Sequence, residues 1–115
     1  MKYSTSLKLN HIFRRLYHTN GVADSYLVLY ARKNRLEINR VGIPVGKKLG
    51  HAVVRNRVRR RIREIYRLNR DKMRPGWDVI VVGRGRSATG PYQKMNDAYL
   101  DCLRRLSLLR EEDEA

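Results

Sequence analysis

Cysteine occurs once in this 115-residue chain, at Cys102, which excludes an internal disulfide and fits a reducing compartment. The three histidines, His11, His18 and His51, have no metal-ligand spacing among themselves or with Cys102. No nucleophile, base and orienting group stand together either, so no catalytic residue and no protein-held metal site is assigned. Acids number only 11, four of them in the closing Glu111, Glu112, Asp113 and Glu114, which leaves little for a two-ion carboxylate centre. No apolar run approaches the ~18 residues of a spanning helix. The opening MKYSTSLKLNHIF lacks the apolar centre of a secretory signal, so the chain is expected to be cytoplasmic and to have no membrane partner. Internal repeats, low-complexity tracts and linkers are absent as well. Residues 1–115 read as a single domain, with 110–115 a frayed acidic tail.

What is abundant is positive charge. Lys and Arg total 26, the formal net charge is +15 and the pI is near 10.8, while 42% hydrophobic residues suffice for one core. So much like charge repels itself in a folded globule, and its natural counterpart is a polyanion, first of all nucleic acid. The charge is concentrated in AVVRNRVRRRIREIYRLNR, residues 52–70, where eight arginines face one acid, Glu64. Free of Gly and Pro until Pro75 and Gly76, this stretch predicts a helix of about five turns. At helical spacing Val54, Val58, Ile62 and Ile65 form a core-facing stripe. Arg55, Arg59, Arg63 and Arg67 step along a neighbouring face with Asn56 and Arg60, and Arg57 and Arg61 flank the stripe on its other side. Each like-charge i,i+4 pair costs the helix ~0.2–0.5 kcal/mol. A surface built for solubility would intersperse acids, so this face is reserved for an external anion. Arginine's planar fork of donors grips phosphate oxygens in pairs, and phosphate is the matching ligand. No short helix with a tight turn precedes it, as base-specific reading of DNA would need, and structured RNA fits better.

Elsewhere, LKLNHIFRRLY (7–17) predicts a first helix capped by Asn10 and stopped near Gly21, with Leu9, Ile12, Phe13, Leu16 and Tyr17 on one side. YLVLYA (26–31) and LEINRVGIPV (36–45) predict two strands joined by a hairpin turn at Lys33, Asn34 and Arg35, the second bulged near Asn39 and Arg40 where its alternation changes parity. WDVIVVG (77–83) reads as a strand buried on both faces, with Trp77 core. GRGRSATG (83–90) reads as a loop without phosphate-loop spacing, either an auxiliary RNA contact or a solvated turn. Pro91 at the first helical position opens a last helix that turns Met95, Ala98, Tyr99, Cys102, Leu103, Leu106 and Leu109 inward. The succession predicts an α/β sandwich of one sheet with helices packed on it.

RVGIPVGKKLGHAVVRNRVRRRIREIYR, residues 40–67, closely resembles the signature region of the bacterial ribonuclease P protein family, and the resemblance extends over nearly the whole chain, weakening after Gly83. It implies an α+β fold, a two-layer sandwich of order αβββαβα like the second domain of ribosomal S5, with a left-handed βαβ crossover and a short strand near 19–23. It also implies a function. The family protein joins a catalytic RNA, one protein per RNA, in a ribonucleoprotein endonuclease that removes the 5′ leader of precursor tRNA by magnesium-dependent hydrolysis, and the RNA is the catalyst. By resemblance, Arg55, Asn56, Arg57, Arg59, Arg60, Arg63 and Arg67 bind that RNA. Asn56, the uncharged member, either makes an outer-sphere contact to a hydrated magnesium ion or is a spacer or cap near the helix start. A cleft between the first helix and the sheet then holds the leader, with Phe13, Tyr17 and Tyr30 as aromatic positions, Val28 in the floor and Lys47 and Lys48 at the edge. Stacking on flat rings accepts any base, as leaders of many sequences require. The chain departs from the family pattern at Pro44 and Gly46, where serines are common, and at His51, where asparagine is. The competing reading is a structural RNA-binding protein of ribosomal type.

Overall fold

The computed structural model describes residues 5–6, 19 and 21–110. The first helix expected over residues 7–17, including Phe13 and Tyr17, lies outside them. Five strands form one sheet: β1 (Thr5–Ser6), β2 (Val22–Ala23), β3 (Leu27–Lys33), β4 (Arg40–Gly42) and β5 (Trp77–Gly83). The helices are α1 (Ala52–Asn69), the single turn α2 (Arg86–Thr89) and α3 (Tyr92–Arg105), with 3-10 turns at Lys47–Leu49 and Arg70–Lys72. The strand order is β1-β4-β5-β3-β2, with β1–β4 and β4–β5 parallel and β5–β3 and β3–β2 antiparallel. The α+β sandwich expected from the sequence is therefore present, and the short strand implied near residues 19–23 is β2.

β5 explains the arrangement. Its Val79, Ile80 and Val81 are fully buried, and a strand apolar on both faces belongs in the sheet centre, where both backbone edges are paired. β5 accordingly lies between β3 and β4, and the hairpin expected at Lys33–Arg35 does not form. Instead Asn34 ends β3 with an Asx turn: its Oδ1 accepts from the Leu36 amide (2.7 Å), and its Nδ2 donates to Ile38 O (3.1 Å) and to Asp78 Oδ1 (3.0 Å). These local bonds displace the ladder over residues 35–38, so the strand expected over 36–45 shrinks to Arg40–Gly42. The parity change at Asn39 is no bulge. Asn39 is buried, donating to Arg74 O (3.1 Å) and accepting from the Trp77 amide (2.9 Å), and so pins the approach to both β4 and β5.

Strand alternation separates the two faces of the sheet. Leu27, Leu29, Val79 and Val81 join Val58, Ile62 and Ile65 of α1 and Met95, Tyr99, Cys102 and Leu103 of α3 in one core, each such side chain contributing ~1.5–3 kcal/mol on burial. Val28, Tyr30 and Ile80 carry the opposite parity. Gly83 lets α1 come close, since a Cβ there would lie 2.6 Å from Val58 Cγ1 and from Ser87 Oγ.

The segment expected to be a loop at residues 83–90 contains α2, with Ser87 and Ala88 buried, and Pro91 precedes α3 as its N-cap rather than occupying its first turn. α3 ends in a Schellman motif, in which Leu108 N–H donates to Leu103 O (2.8 Å) and Ser107 N–H to Arg104 O (3.0 Å). The residue held in the left-handed region is Ser107 (φ 61°), where glycine is the usual occupant. Ser107→Gly is expected to stabilise the fold by about 1 kcal/mol, read as a rise of roughly 4 °C in Tm; a fall would show that the serine side chain has a compensating contact.

Candidate nucleic-acid interface

α1 has the five turns expected, 18 residues from Ala52 to Asn69. Its buried side chains are Val58, Ile62, Ile65, Tyr66 and Asn69, a stripe wider than the expected one because Tyr66 extends it toward Arg55 and Arg59. Those two arginines are consequently half-buried, while Asn56, Arg57, Arg60, Arg63 and Arg67 are exposed. Arg55 Nε is enclosed without a hydrogen-bond partner, and Arg59 Nη1 donates to Asn56 Oδ1 (3.0 Å). The cationic surface is thus centred on Arg57, Arg60 and Arg63, rotated away from the Arg55–Arg59 edge where the sequence spacing put it.

Compensation on this surface is slight. Arg67 donates to both Glu64 oxygens (2.6 and 3.1 Å), which holds the Glu64 carboxyl below its ordinary pKa. Arg57, Arg60 and Arg63 have no carboxylate partner among the described residues. The helix N-terminus adds to the positive potential. His51 occupies the N-cap position without a side-chain cap bond and no acid stands in the first turn, so the dipole and free amides there favour an anion. The start of α1 is thus basic and uncapped by any carboxylate.

Arg61, expected only to flank the apolar stripe, has a structural part. Its Nη1 donates to Ser87 O (2.9 Å) and its Nη2 to Gly90 O (2.5 Å), tying α1 to the turn around α2. Beside it lies a cleft of about 660 Å³ lined by Arg57, Arg60, Arg61, Glu64, Thr89 and Tyr92. Burial raises the pKa of Tyr92, whose hydroxyl makes no hydrogen bond. The sequence signal for Arg61 was its position at the stripe's margin; its partners are backbone carbonyls, which leave no mark in a residue pattern.

Of the expected leader-binding residues, the structure places Val28 and Tyr30 together on the β3 face opposite α1 and α3, both half-buried. Gly21 lies under the Tyr30 ring: a Cβ there would fall 2.6 Å from Tyr30 Cε1. Lys47 and Lys48 are exposed on the turn between β4 and α1. Pro44 and Gly46 lie just beyond β4, outside the ladder, so the proline deprives the sheet of no donor.

Neither Cys102 nor Tyr99 offers reaction chemistry. Burial pushes the Cys102 thiol up to about 12 and raises the Tyr99 hydroxyl further, so both stay protonated at neutral pH. Among the described residues no helix is long and apolar enough to cross a membrane.

A two-layer α+β domain with a strongly basic helix on its surface has the build of a nucleic-acid-binding protein. The family model for Ribonuclease P matches residues 1–107. The Ribonuclease P protein component of Natranaerobius thermophilus is 40% identical over 112 residues, covering 96% of this chain and 97% of that protein, and that of Clostridioides difficile is 40% identical over 104 residues, covering 89% and 91%. The RNase P protein of Staphylococcus aureus superposes with a TM-score of 0.80 at 29% identity, covering 91% of this chain and 97% of that one, and that of Thermotoga maritima with 0.78 at 28%, covering 87% and 96%. The chain belongs to the ribonuclease P protein family. It is the protein subunit of the tRNA 5′-processing endoribonuclease, and its partner is the RNA subunit of that enzyme.

Proposed function

We propose that the exposed face of α1, with Arg57, Arg60, Arg63 and Arg67 outward and Arg55, Asn56 and Arg59 along its edge, lies against the catalytic RNA, and that the β3 face with Val28 and Tyr30 receives the 5′ leader of precursor tRNA. The observation that carries the first half is the set of exposed guanidinium groups of Arg57, Arg60 and Arg63, which have no carboxylate partner among the described residues. For the second half, Tyr30 supplies a half-buried ring on the sheet face opposite α1 and α3, Lys47 and Lys48 are exposed on the turn after β4, and the family resemblance adds Phe13 and Tyr17, which lie outside the described residues. One protein serves one RNA in this reading, and the particle works in the cytoplasm.

Magnesium supplies the charge stabilisation for hydrolysis. The described residues contain no group of three or more His, Cys, Asp or Glu side chains able to hold it. Asn56 Oδ1 already accepts from Arg59 amid further cations, so the side chains here do not by themselves fit a dication. Magnesium therefore belongs to the RNA in this reading, and Asn56 reaches it at most through a metal-bound water.

The test compares precursor tRNA bearing a leader with mature tRNA, each bound by the assembled enzyme. Tyr30→Ala is expected to weaken the precursor about tenfold, within the ~1–3 kcal/mol of one base stack, and to leave mature tRNA unchanged, while Tyr30→Phe retains the affinity. Equal losses for both ligands would make Tyr30 a packing residue and remove the β3 face from leader recognition.

A further inference from the structure

A second basic concavity lies at the other end of β5 from the start of α1. It is a cleft of about 590 Å³ lined by Lys33, Arg74, Pro75, Trp77, Ser107 and Arg110. Trp77 begins β5 and Gly83, against which α1 packs, ends it, which puts the two sites about 20 Å apart along the strand. Lys33 and Trp77 are register partners and share the parity of Leu29 and Val81, so they face the helix side of the sheet, away from Val28 and Tyr30. The cleft therefore belongs neither to the α1 surface nor to the β3 face.

Its lining contains three cations, one indole ring and no carboxylate. Lys33 Nζ stands 5.9 Å from the centroid of the Trp77 ring. Arg74 and Arg110 are held by their backbones: Arg74 N–H donates to Leu108 O (2.8 Å) and Arg110 N–H to Lys72 O (2.7 Å), on either side of the bridge between Met73 and Leu109. Two guanidinium-bearing positions are thus fixed beside a half-buried aromatic ring and an exposed lysine. Lys33 and Arg110 have no carboxylate partner among the described residues.

We propose that this cleft is a second RNA-contact site that takes one unpaired nucleotide, its base stacked on Trp77 and its phosphate held among Lys33, Arg74 and Arg110. A ring set inside a concavity accepts a base only when that base is free of a duplex, which is how single strands are recognised. The cations account for the phosphate but not for the indole; base and phosphate together account for both. Lys33 has to leave the ring face when a base arrives. A surface cation–π contact is weaker than a base stack, and the incoming phosphate gives the ammonium a stronger partner at the rim. The site is independent of the assignments made to α1 and β3.

Trp77 is the only tryptophan in the chain, so its emission reports this cleft alone. The full chain is titrated at low salt with a short single-stranded oligoadenylate and, separately, with inorganic phosphate. The expected result is saturable quenching by the oligonucleotide and none by phosphate. Lys33→Gln together with Arg110→Gln is expected to weaken the quenching affinity roughly tenfold and to flatten the dependence of log affinity on log salt by up to ~0.7 units, the release tied to one neutralised phosphate on a single strand. Each single variant gives about half that change, with an unaltered circular dichroism spectrum. Replacing Arg57, Arg60 and Arg63 of α1 leaves the quenching amplitude in place. Absence of saturable quenching overturns the proposal. So does equal quenching by phosphate, or quenching that follows the α1 variants and ignores Lys33 and Arg110.

Discussion

Replacing Arg57, Arg60 and Arg63 together with alanine is expected to weaken binding to the ribonuclease P RNA about a hundredfold at physiological salt. At ~1 kcal/mol for each exposed guanidinium–phosphate pair, three pairs amount to ~3 kcal/mol, and every 1.4 kcal/mol is tenfold. The dependence of log affinity on log salt should flatten by close to three units, since ~0.9 of a counterion is released for each neutralised phosphate on a duplex. Unfolding cannot mimic this outcome. All three side chains are exposed, alanine is the better helix former, and removing like charges relieves the repulsion along α1, so Tm is expected to hold or rise. Filter binding across a salt series and thermal unfolding on the same preparations check both halves. A slope unchanged from the parent would return this face to ordinary solvated surface, and a lower Tm would mean that the arginines hold the fold.

That α1 could be read from sequence at all follows from its chemistry. Its apolar period is unbroken from Val54 to Ile65, its limits are set by Gly50 and Pro75, and its charge is too one-sided for a surface that only faces water. β5 was legible for a similar reason, because five apolar or aromatic positions, Trp77 and the run from Val79 to Val82, flank a single Asp78 and have few other places to go. Pairing was not legible. Alternation over residues 36–45 and a turn-like Lys33–Arg35 suggested a hairpin, yet Asn34 spends its side chain on Leu36, Ile38 and Asp78, and β5 takes the place beside β3 that β4 would have had. The second basic cleft was invisible for the same reason. Lys33, the Arg74–Trp77 stretch and Arg110 come from three separate segments, and nothing in their spacing announces that the sheet register and the Met73–Leu109 bridge gather them. Arg55 and Arg59 show the finer limit: helical spacing placed them correctly beside the stripe, and only the burial of Tyr66 showed that they line the core's edge rather than face outward.

Asp78→Ala is expected to cost about 3 kcal/mol of folding stability, the largest effect of any single polar substitution considered. Asp78 is the one acid within the central strand, its side chain 8% exposed, and it stands opposite Arg40 in the parallel β4–β5 ladder. It accepts from Arg40 Nε and Nη2 at 2.7 Å each and from Asn34 Nδ2 at 3.0 Å, so one carboxylate joins β4, β5 and the turn that ends β3. Removing it leaves a guanidinium and an amide without their acceptor. Breaking a buried pair from one side typically costs ~3–5 kcal/mol, and the lower end applies because Arg40, 26% exposed, regains some water. Against the ~5–15 kcal/mol that holds a domain of this size, the loss should appear as a fall of roughly 12 °C in Tm. Replacing both partners, Asp78→Leu with Arg40→Met, should restore part of it, because no charge is then left stranded. If Asp78→Ala moved Tm by less than 2 °C, or if the double substitution were worse than the single one, the pair would be a surface contact and the alignment of β4 on β5 would have to come from elsewhere. RNA affinity measured well below the transition should stay at the parent value, since the arginines of α1 do not touch this carboxylate. The arginines proposed to face RNA and the carboxylate that joins β4 to β5 are therefore separable in one molecule, by the triple arginine replacement on one side and Asp78→Ala on the other.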